Sequence, residues 1–530
     1  MLDRFGLLKQ PFTRQENTVI QTFLIASSGV AFNGGTANYL LAMTPLIASQ
    51  GHEAIAPINF KHLSLGWMTG FLFTVSFVGL FLNLMLKKIM ILKHNLTYPS
   101  GTATASIINN FHTPRGAKLA KRQFKYMGYT ACCSFTFALF QWFFANANGC
   151  RGLSNLPTFG FHAYAETFYF DFSLPSIGAG MICSHKINAS LLIGAVISWA
   201  IMWPLIEGKR GHWYRANLSA SDLHGIQGYR VFISIAMMLG DGAFLLISML
   251  IKTLRSLVKE PSLVMVPYVA NYDENRRREF FLKDQIPIWI GLLGYGILAF
   301  ISINVLPLIF PQLNCHHLLV AYILGPLLAF CNVYGCGLTD LSLASNYGKV
   351  AILIFSSWIG FHNGGVIAGL ASCGAMMSIF YSADLMQDYK TAYLTLTSHS
   401  SMLVSQVMGT AAGYIMSPLI FWIFYRTYSV GDPEGSYPAP DGLLYRAIAV
   451  FGAKGIHALP KNCLNLPILF FCIAIATNVL KERLKHYETR YGMHRFVPNA
   501  MCIAIPFYLG GFFAIDMCLG SLIVFIWRWR

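Results

Sequence analysis

The chain has 530 residues, of which 55% are hydrophobic and 11% are charged, with a formal net charge of +16. Soluble domains carry roughly 25% charged residues, so this composition excludes an ordinary soluble protein and predicts an all-α, polytopic integral membrane protein. The polar connections are loops of roughly 30 residues at most, too short to bury a core of their own. We therefore treat residues 1–530 as a single transmembrane domain.

Apolar segments near the ~20 residues that cross a bilayer as a helix recur along the whole chain. In chain order they are Val19–Ala48, Leu65–Leu86, Tyr126–Ala145, Asn188–Ile206, Val231–Ile251, Ile286–Phe310, Cys315–Val333, Val350–Ala383, Met402–Tyr425, Cys463–Leu480 and Val497–Trp527. Two of them, Val350–Ala383 and Val497–Trp527, exceed a single crossing. We expect about 11 to 13 spans, including broken or re-entrant helices.

The connections between these segments predict the topology. Basic residues cluster in 114–125 and 252–285 rather than on a folded basic surface. Lys and Arg are enriched in cytoplasmic loops, so we assign 252–285 to the cytoplasm and expect no nucleic-acid partner. The connection 429–442 has three acidic residues and no Lys or Arg, which indicates an extracytoplasmic loop.

The most polar segment in apolar surroundings is Leu96–Thr113, LTYPSGTATASIINNFHT. Pro99 and Gly101 predict a helix break, and hydroxyls and amides surround it. Non-helical backbone at membrane depth survives only inside protein or against a polar cavity, and in transporters such breaks commonly build the substrate site. The candidate substrate-binding residues of this segment are Ser100, Thr102, Thr104, Asn109 and His112.

A second glycine-rich interruption supplies the remaining binding candidates, Asn363, Gly364 and Gly365. The same three residue types occur at 33–35, and a Leu follows the Asn by seven positions in both places. This similarity favours an inverted repeat whose broken helices meet near the midplane of the membrane. Close helix packing through small residues is the alternative explanation.

Five acidic residues lie in apolar context: Asp171, Asp241, Asp340, Asp384 and Asp516. A lipid-facing Asp costs on the order of 2.5–3.5 kcal/mol at a helix centre, so each should face protein or water. We select Asp241, Asp384 and Asp516 as candidates for proton coupling. A position at a span end, or pairing with a helix N-terminus or a Lys, is the structural alternative.

The sequence offers little support for a metal site or an enzyme. Among 12 cysteines and 15 histidines, no CxxC or HxxxH pair occurs, although such pairs are the usual ligand spacings. No nucleophile and base stand out as a pair. We therefore predict no bound cofactor, no protein-made metal centre and no enzymatic activity.

The polar segment also carries a family resemblance. LTYPSGTATA followed by NNFHTP resembles the signature of the yellow stripe-like branch of the oligopeptide transporter family. Other stretches match this branch in the same order: PFTRQENT, FQWFF, FDFSLPSIGAGMICSH, WPLI, NGGVIAGLASCGAMMSI, ADLMQDYKTAYLTLTS, SQVMGTAAGYIMSPLIFW, LYRAIAVFG, ALPKNC and GGFFAIDMCLGSLIVFIW. The NPG and KIPPR motifs of the peptide-transporting branch do not occur.

This resemblance implies a proton-coupled transporter of metal chelates, in which iron, copper, zinc or another metal is bound to nicotianamine or a phytosiderophore. A chelated metal already has its ligands, so the protein need only recognise the chelator. The helix after Pro99 would offer backbone amides, with Ser100 and Thr102, to a chelator carboxylate; Asn363 would join them. The plasma membrane is the expected location, with an internal membrane as the other option.

Two alternatives accompany this interpretation. A proton-coupled oligopeptide transporter would share the fold. Relatives in the resembled branch also have spans before the PFTRQENT motif and continue past SLIVFIW, whereas ten residues precede Pro11 here and the chain stops at Arg530. The resemblance therefore implies truncation at both ends, and a non-transporting partner of full-length relatives is the second alternative. A homo-oligomer is left open.

Overall fold

The structure is a computed structural model that describes residues 12–33, 35–50, 57–145, 158–215, 225–258, 272–284, 286–432, 437, 439–455, 461–487 and 496–529. Within these ranges the chain is helical, with an isolated bridge between Arg210 and Tyr214 and no named strand. Much of the predicted loop 252–285, part of 429–442, and Gly34 lie outside the described residues.

The described helices follow one another with short connections. The first ten are α1 (Arg14–Asn33), α2 (Pro45–Gln50), α3 (Leu65–Ser76), α4 (Val78–Lys87), α5 (Pro99–Phe111), α6 (Pro114–Ala145), α7 (Phe161–Ala165), α8 (Leu174–Ile182), α9 (His185–Ile197) and α10 (Trp203–Glu207). The other twelve are α11 (Ile226–Val258), α12 (Tyr272–Lys283), α13 (Ile288–Ile309), α14 (Cys315–Thr339), α15 (Ala344–Ile359), α16 (Gly365–Phe380), α17 (Ser382–Thr395), α18 (His399–Thr427), α19 (Pro440–Lys454), α20 (Asn465–Tyr487), α21 (Ala500–Leu509) and α22 (Gly511–Trp529). Short π-helical and 3₁₀ turns join several of them.

Nine helical stretches of the described chain are long and apolar enough to cross a membrane. They are Leu65–Lys93, His185–Glu207, Ile226–Leu245, Ile288–Ile309, Cys315–Thr339, Gly365–Thr395, His399–Thr427, Asn465–Leu484 and Gly511–Trp529. The prediction of an all-α, multi-pass integral membrane protein is confirmed. The predicted number of 11 to 13 spans includes broken helices. The nine stretches are uninterrupted helices only, so the two numbers count different things.

The two overlong apolar segments are each divided at a glycine. Val350–Ala383 is interrupted between α15 and α16, where Gly360 and Gly364 both have φ 78°. Val497–Trp527 is interrupted at Gly510, with φ 110°. Only glycine enters the left-handed region without steric cost, so these residues end one helix and allow the next to start at a new angle.

The centre of the fold is the stretch formed by α16 and α17. Every residue of α16 is buried, whereas only four of the 22 residues of α13 are buried, so α13 faces outward. The composition of α16, GVIAGLASCGAMMSIF, is dominated by small residues, which let neighbouring helices approach closely. Gly374 packs directly against the ring of Phe71 in this way.

Helix α18 separates the ends of the two predicted loops. At its N-terminus, the backbone N–H of His399 donates to Oδ2 of Asp284 at 2.7 Å, and Asp284 directly follows α12. At its C-terminus, Tyr428 leads into 429–442. A helix of 29 residues rises about 1.5 Å per residue, so the two connections lie at opposite ends of a membrane-length helix.

Candidate functional site

The predicted break at the polar segment occurs at Tyr98. Its φ of 45° lies in the left-handed region, and α5 begins at the next residue, Pro99. The Tyr98 side chain is fully buried, its hydroxyl donates to the carbonyl of Val333 at 3.1 Å, and its N–H donates to the carbonyl of Gly337 at 3.1 Å. Helix α14 therefore fixes the point at which α5 begins.

Gly101 has a different role from the predicted one. It does not break the helix but lies in the first turn of α5. A Cβ atom at this position would be 2.5 Å from the carbonyl oxygen of Gln387 on α17. Thr391 strengthens the contact by donating its hydroxyl to the Gly101 carbonyl at 3.0 Å. The glycine thus permits close contact between α5 and α17.

The N-terminus of α5 is capped by a carboxylate from another part of the chain. The Ser100 N–H donates to Oδ1 of Asp340 at 2.9 Å, and the Ser100 hydroxyl donates to Oδ2 of the same residue. Asp340 is the first residue after α14 and has φ 69°. A negative charge at a helix N-terminus is stabilising. The donors that the sequence assigned to a chelator carboxylate are therefore engaged by Asp340.

A cavity of about 330 Å³ lies beside this helix start, between α1, α5 and α17. Its lining residues are Gln21, Ile25, Ser28, Gly29, Ser100, Gly101, Thr104, Tyr381, Asp384, Gln387, Asp388 and Thr391. Most of them carry a hydroxyl, an amide or a carboxylate, although the surrounding protein is strongly apolar. Polar groups that converge on one pocket in apolar surroundings are typical of a small-molecule site.

The cavity is acidic. Asp384 and Asp388 lie four residues apart on α17, so they share a helical face. Asp388 is 2% exposed and accepts from Nε2 of Gln406 at 3.4 Å. The twelve lining residues include no Lys, Arg or His. Two carboxylates in a cavity whose lining residues include no basic side chain favour a bound proton, an ammonium group or another cation.

Three predicted site residues line this cavity: Ser100, Thr104 and Asp384. Thr102 does not line the cavity. Its hydroxyl donates to the backbone carbonyl of Thr97. Asn109 lies further along α5 and donates to the carbonyl of Leu394 at 3.1 Å. His112 is the C-terminal cap of α5, about 18 Å along the helix from Ser100.

The structure does not bring Asn363 to the same cavity. Asn363 lines a separate cavity of about 600 Å³ together with His316, His317 and Trp358. Asn363 precedes α16, whereas Tyr381, which lines the first cavity, follows it. The 16 residues of α16 rise by about 24 Å, so Asn363 and Ser100 cannot contact one small ligand at once. The distance is too long for the predicted arrangement in which both residues contact one chelate.

Gly364 and Gly365 lie where the chain turns into the start of α16. Gly364 has φ 78°, and a Cβ on Gly365 would lie 2.6 Å from the carbonyl oxygen of Gly360. Both positions therefore require glycine for local backbone reasons. Neither residue lines the first cavity.

The other two proton-coupling candidates do not line the cavity. Asp241 on α11 is 3% exposed and accepts from Nδ2 of Asn478 at 2.6 Å. Asp516 on α22 is fully buried and accepts the N–H of Ser173, the residue before α8, at 2.9 Å. The structure places Asp241 in a contact between helices and Asp516 at a helix N-terminus, which matches the structural alternative for acidic residues.

The sequence interpretation missed Asp388, Gln387 and Gln21 as lining residues. The four-residue spacing of Asp384 and Asp388 in SADLMQD was a signal for two carboxylates on one helical face. Gln21 had no comparable signal, because only the tertiary contact of α1 with α17 brings it to the site. Within the described residues, no group of three His, Cys, Asp or Glu side chains is placed to hold a metal ion.

Comparison with known proteins identifies relatives along the whole chain. The profile of the OPT oligopeptide transporter protein family matches residues 1–530. The "Probable metal-nicotianamine transporter YSL14" of Oryza sativa subsp. japonica is 51% identical over 543 aligned positions, which cover 99% of this chain and 74% of that protein. The "Probable metal-nicotianamine transporter YSL5" of Arabidopsis thaliana is 50% identical and covers 100% of this chain and 76% of its own length.

Proposed function

Since the chain belongs to the OPT oligopeptide transporter family and to its yellow stripe-like branch, we propose that it is a secondary transporter of metal chelates. Its substrate is a metal ion bound to nicotianamine or a related phytosiderophore, and protons drive its movement. The observation that carries the proposal is the polar, acidic cavity at the start of α5, between α1 and α17.

The cavity suits the chemistry of a chelator better than that of a bare ion. Gln21, Ser28 and Thr104 offer amide and hydroxyl groups that both donate and accept hydrogen bonds. Asp384 and Asp388 attract the amine groups of the chelator or the metal charge. These residues replace Thr102 and Asn363 as the proposed chelate contacts.

Proton coupling is assigned to the carboxylate pair of α17. Asp384 and Asp388 are the acidic residues that line the cavity, so their charge is felt directly by a substrate in it. A carboxylate that binds a proton on one side of the membrane and releases it on the other links the movement of the proton to that of the chelate. Of these two carboxylates, Asp388 is the more shielded from water, because it is buried and accepts a hydrogen bond from Gln406.

Alternating access then has a defined geometry. The cavity at Asn363 and His316 lies at one end of α16, and the acidic cavity lies at the other. We assign the first to the extracytoplasmic side, because α18 carries the acidic connection 429–442 at the end opposite His399. The chelate would pass from the outer cavity to the inner one in the plasma membrane.

The direct test is uptake of radiolabelled iron by proteoliposomes that contain this chain, with and without nicotianamine, under an imposed proton gradient. Uptake that requires both supports the proposal. Competition by unlabelled small peptides distinguishes the alternative, since an oligopeptide transporter would be inhibited by them. Uptake of peptides in place of the chelate would reject the assigned substrate.

A further inference from the structure

A set of buried polar side chains lies between α4, α17 and α18, and none of them lines the cavity described above. Nine of their nitrogen and oxygen atoms have no hydrogen-bond partner among the residues that the structure describes. We call this set the polar seam; it comprises Asn83, Lys87, Ser382, Tyr389, His399, Gln406 and Thr410. Each of the seven is at most 2% exposed.

The members of the seam share one face on each helix. On α4, Asn83 and Lys87 are four residues apart; on α17, Ser382 and Tyr389 are seven apart. On α18 the members are His399, Gln406 and Thr410, at spacings of seven and four. Residues at these spacings lie above one another on a helix. The seam therefore consists of three rows of polar side chains, one on each helix, which together we call the column.

At the His399 end of the column, side chains from α4, α17 and α18 lie next to one another. The Lys87 ammonium lies 5.2 Å from the centre of the Tyr389 ring, and the Tyr389 and His399 rings are 6.1 Å apart. Neither ring nitrogen of His399 has a partner with good hydrogen-bond geometry among the described residues, although the backbone of Phe281 lies near enough to act on the ring. Asp284 accepts the backbone N–H of His399 at 2.7 Å, so this end of the seam adjoins the connection that follows α12.

The middle of the column meets the acidic cavity. Nε2 of Gln406 donates to the carbonyl of Leu385 at 3.1 Å and to Asp388 at 3.4 Å, while its oxygen is unpartnered. Asp388 lines the cavity. Gln406 thus belongs to the seam and contacts the cavity wall, which makes Asp388 the junction between the two.

The remaining members lie at the other end of the column. Gly79 on α4 packs against the backbone of Ser378, one turn before Ser382. Asn83 lies one turn after Gly79, so it reaches the level of Ser382. Thr410 lies one turn beyond Gln406 on α18, which runs antiparallel to α17, because His399 lies beside Tyr389 and Gln406 beside Leu385.

We propose that water fills the polar seam and carries protons between Asp388, at the cavity wall, and His399, at the end of the seam beside Asp284. The proton-carrying part rests on the proposed function, whereas the presence of water does not. Each step moves only a proton: a protonated Asp388 gives one proton to the adjacent water and becomes a carboxylate, each water accepts one proton and passes one on, and a ring nitrogen of His399 accepts the last. No bond between heavy atoms changes.

The physical reason is the cost of an unpartnered buried polar group, about 1–3 kcal/mol each. Buried waters commonly remove this cost by making about three hydrogen bonds each. A column of nine such atoms, with Tyr, His and Lys side chains among them, offers water a succession of donors and acceptors. Such a chain also transfers protons, because adjacent waters exchange them along hydrogen bonds.

Several charged or titratable groups face the two ends of the route. Asp388 is faced by Asp384, Tyr381 and Tyr389, all from α17 or the residue before it. His399 is faced by Lys87 from α4, by Asp284, which follows α12, and by the ring of Tyr389. On α12, Glu274 and Arg277 act on Lys390 rather than on these two residues.

The presence of water is tested by X-ray hydroxyl-radical footprinting of the purified full chain, which labels side chains beside bound water. Tyr389 is compared with Tyr322, which is also buried but shares a hydrogen bond with Ser302. We expect Tyr389 to be modified about fivefold faster or more, because activated water would lie against its hydroxyl. Equal rates for the two tyrosines would overturn the water-filled seam.

The proton route is tested with the double variant Tyr389→Phe, His399→Phe, which keeps the aromatic packing and removes three unpartnered polar atoms. Tyr322→Phe is the control, since it removes a buried hydroxyl outside the seam. We expect the double variant to exchange chelate across the membrane without a gradient within about twofold of the unaltered chain. Accumulation driven by a proton gradient should fall at least about fivefold.

The outcomes separate the two proposals. Unchanged gradient-driven accumulation in the double variant would overturn the proton route. If the unaltered chain exchanges chelate but moves no protons, the proposed coupling is wrong and the proton route is overturned with it. If it transports no chelate at all, the proposed function is wrong. The footprinting of Tyr389 still decides for or against the water in either case, and also if the double variant fails to fold.

Discussion

The carboxylate of Asp340 accepts both the backbone N–H and the hydroxyl of Ser100, which joins the end of α14 to the start of α5. A predicted substrate ligand is thereby part of a helix cap. The cap also explains how a helix can begin inside the protein, because the first N–H groups of any helix lack partners within it. The cavity wall at Ser100 and Thr104 depends on this contact.

Asp516 has a comparable relationship with Ser173. It accepts the N–H of Ser173 at 2.9 Å, and α8 begins at the next residue with Leu174 and Pro175. Both α5 and α8 therefore start near a proline and receive a carboxylate from a distant part of the chain. This recurrence gives two acidic residues of the fold, Asp340 and Asp516, a structural role separate from proton transfer.

We predict that Asp340→Ala destabilises the start of α5. Removal of a capping side chain costs about 0.5–2 kcal/mol, and here two donors of Ser100 lose their partner. The melting temperature of the purified protein should fall by about 2 °C or more, and chelate uptake should fall with it. Glu279→Ala is the control, because Glu279 is exposed and lies beyond the first turn of α12; an equal effect of both variants would contradict the cap.

We predict that Gly101→Ala separates α5 from α17 and distorts the cavity between them. The added Cβ would lie 2.5 Å from the Gln387 carbonyl oxygen, and overpacking of this kind costs about 1–3 kcal/mol. Uptake should be lost while Gly128→Ala is tolerated, since a Cβ at Gly128 has no neighbouring atom within 4 Å among the described residues. Uptake assays of the two variants at matched surface expression provide the check.

The sequence predicted the helical class, the division of overlong segments and the importance of the polar segment, because these follow from hydropathy and helix breakers. It could not predict that Gly101 is a packing residue, since this depends on the position of Gln387, nearly 300 positions later in the chain. Helix breakers and contact glycines have the same sequence signature.

The cavity itself was only partly predictable for a similar reason. Ser100, Thr104 and Asp384 are in polar motifs that stood out, and all three line the cavity. Asn363 stood out equally but lies at the other end of α16. Local sequence shows where a helix is interrupted, whereas the assignment of two interruptions to one site requires the distance between them.

We predict that Thr104→Val weakens chelate uptake more than Thr102→Val does. Both variants remove one hydroxyl from α5 and keep a branched side chain. The Thr104 side chain lines the cavity, whereas the Thr102 hydroxyl is engaged with the Thr97 carbonyl. Loss of one hydrogen bond costs about 0.5–1.5 kcal/mol, so KM for the chelate should rise about 3- to 10-fold for Thr104→Val. Equal KM values would remove Thr104 from the proposed site.

We predict that the two carboxylates of the cavity, rather than the remote ones, determine the pH dependence of uptake. Asn is shaped like protonated Asp but cannot exchange the proton. Asp384→Asn and Asp388→Asn should therefore transport chelate at a rate that no longer rises when the outer solution is acidified.

Asp516→Asn serves as the comparison for this prediction, because the Asp516 carboxylate holds the start of α8 and lies away from the cavity. This variant should lower the melting temperature, through the weakened cap, and keep the pH profile of the unaltered chain. Initial uptake rates between pH 5 and pH 8, measured on folded protein, decide the matter. The group that binds the transported proton must be the one whose neutralisation abolishes the pH dependence of uptake. If uptake by Asp516→Asn does not depend on pH while uptake by Asp388→Asn does, the coupling role therefore belongs to Asp516 on α22.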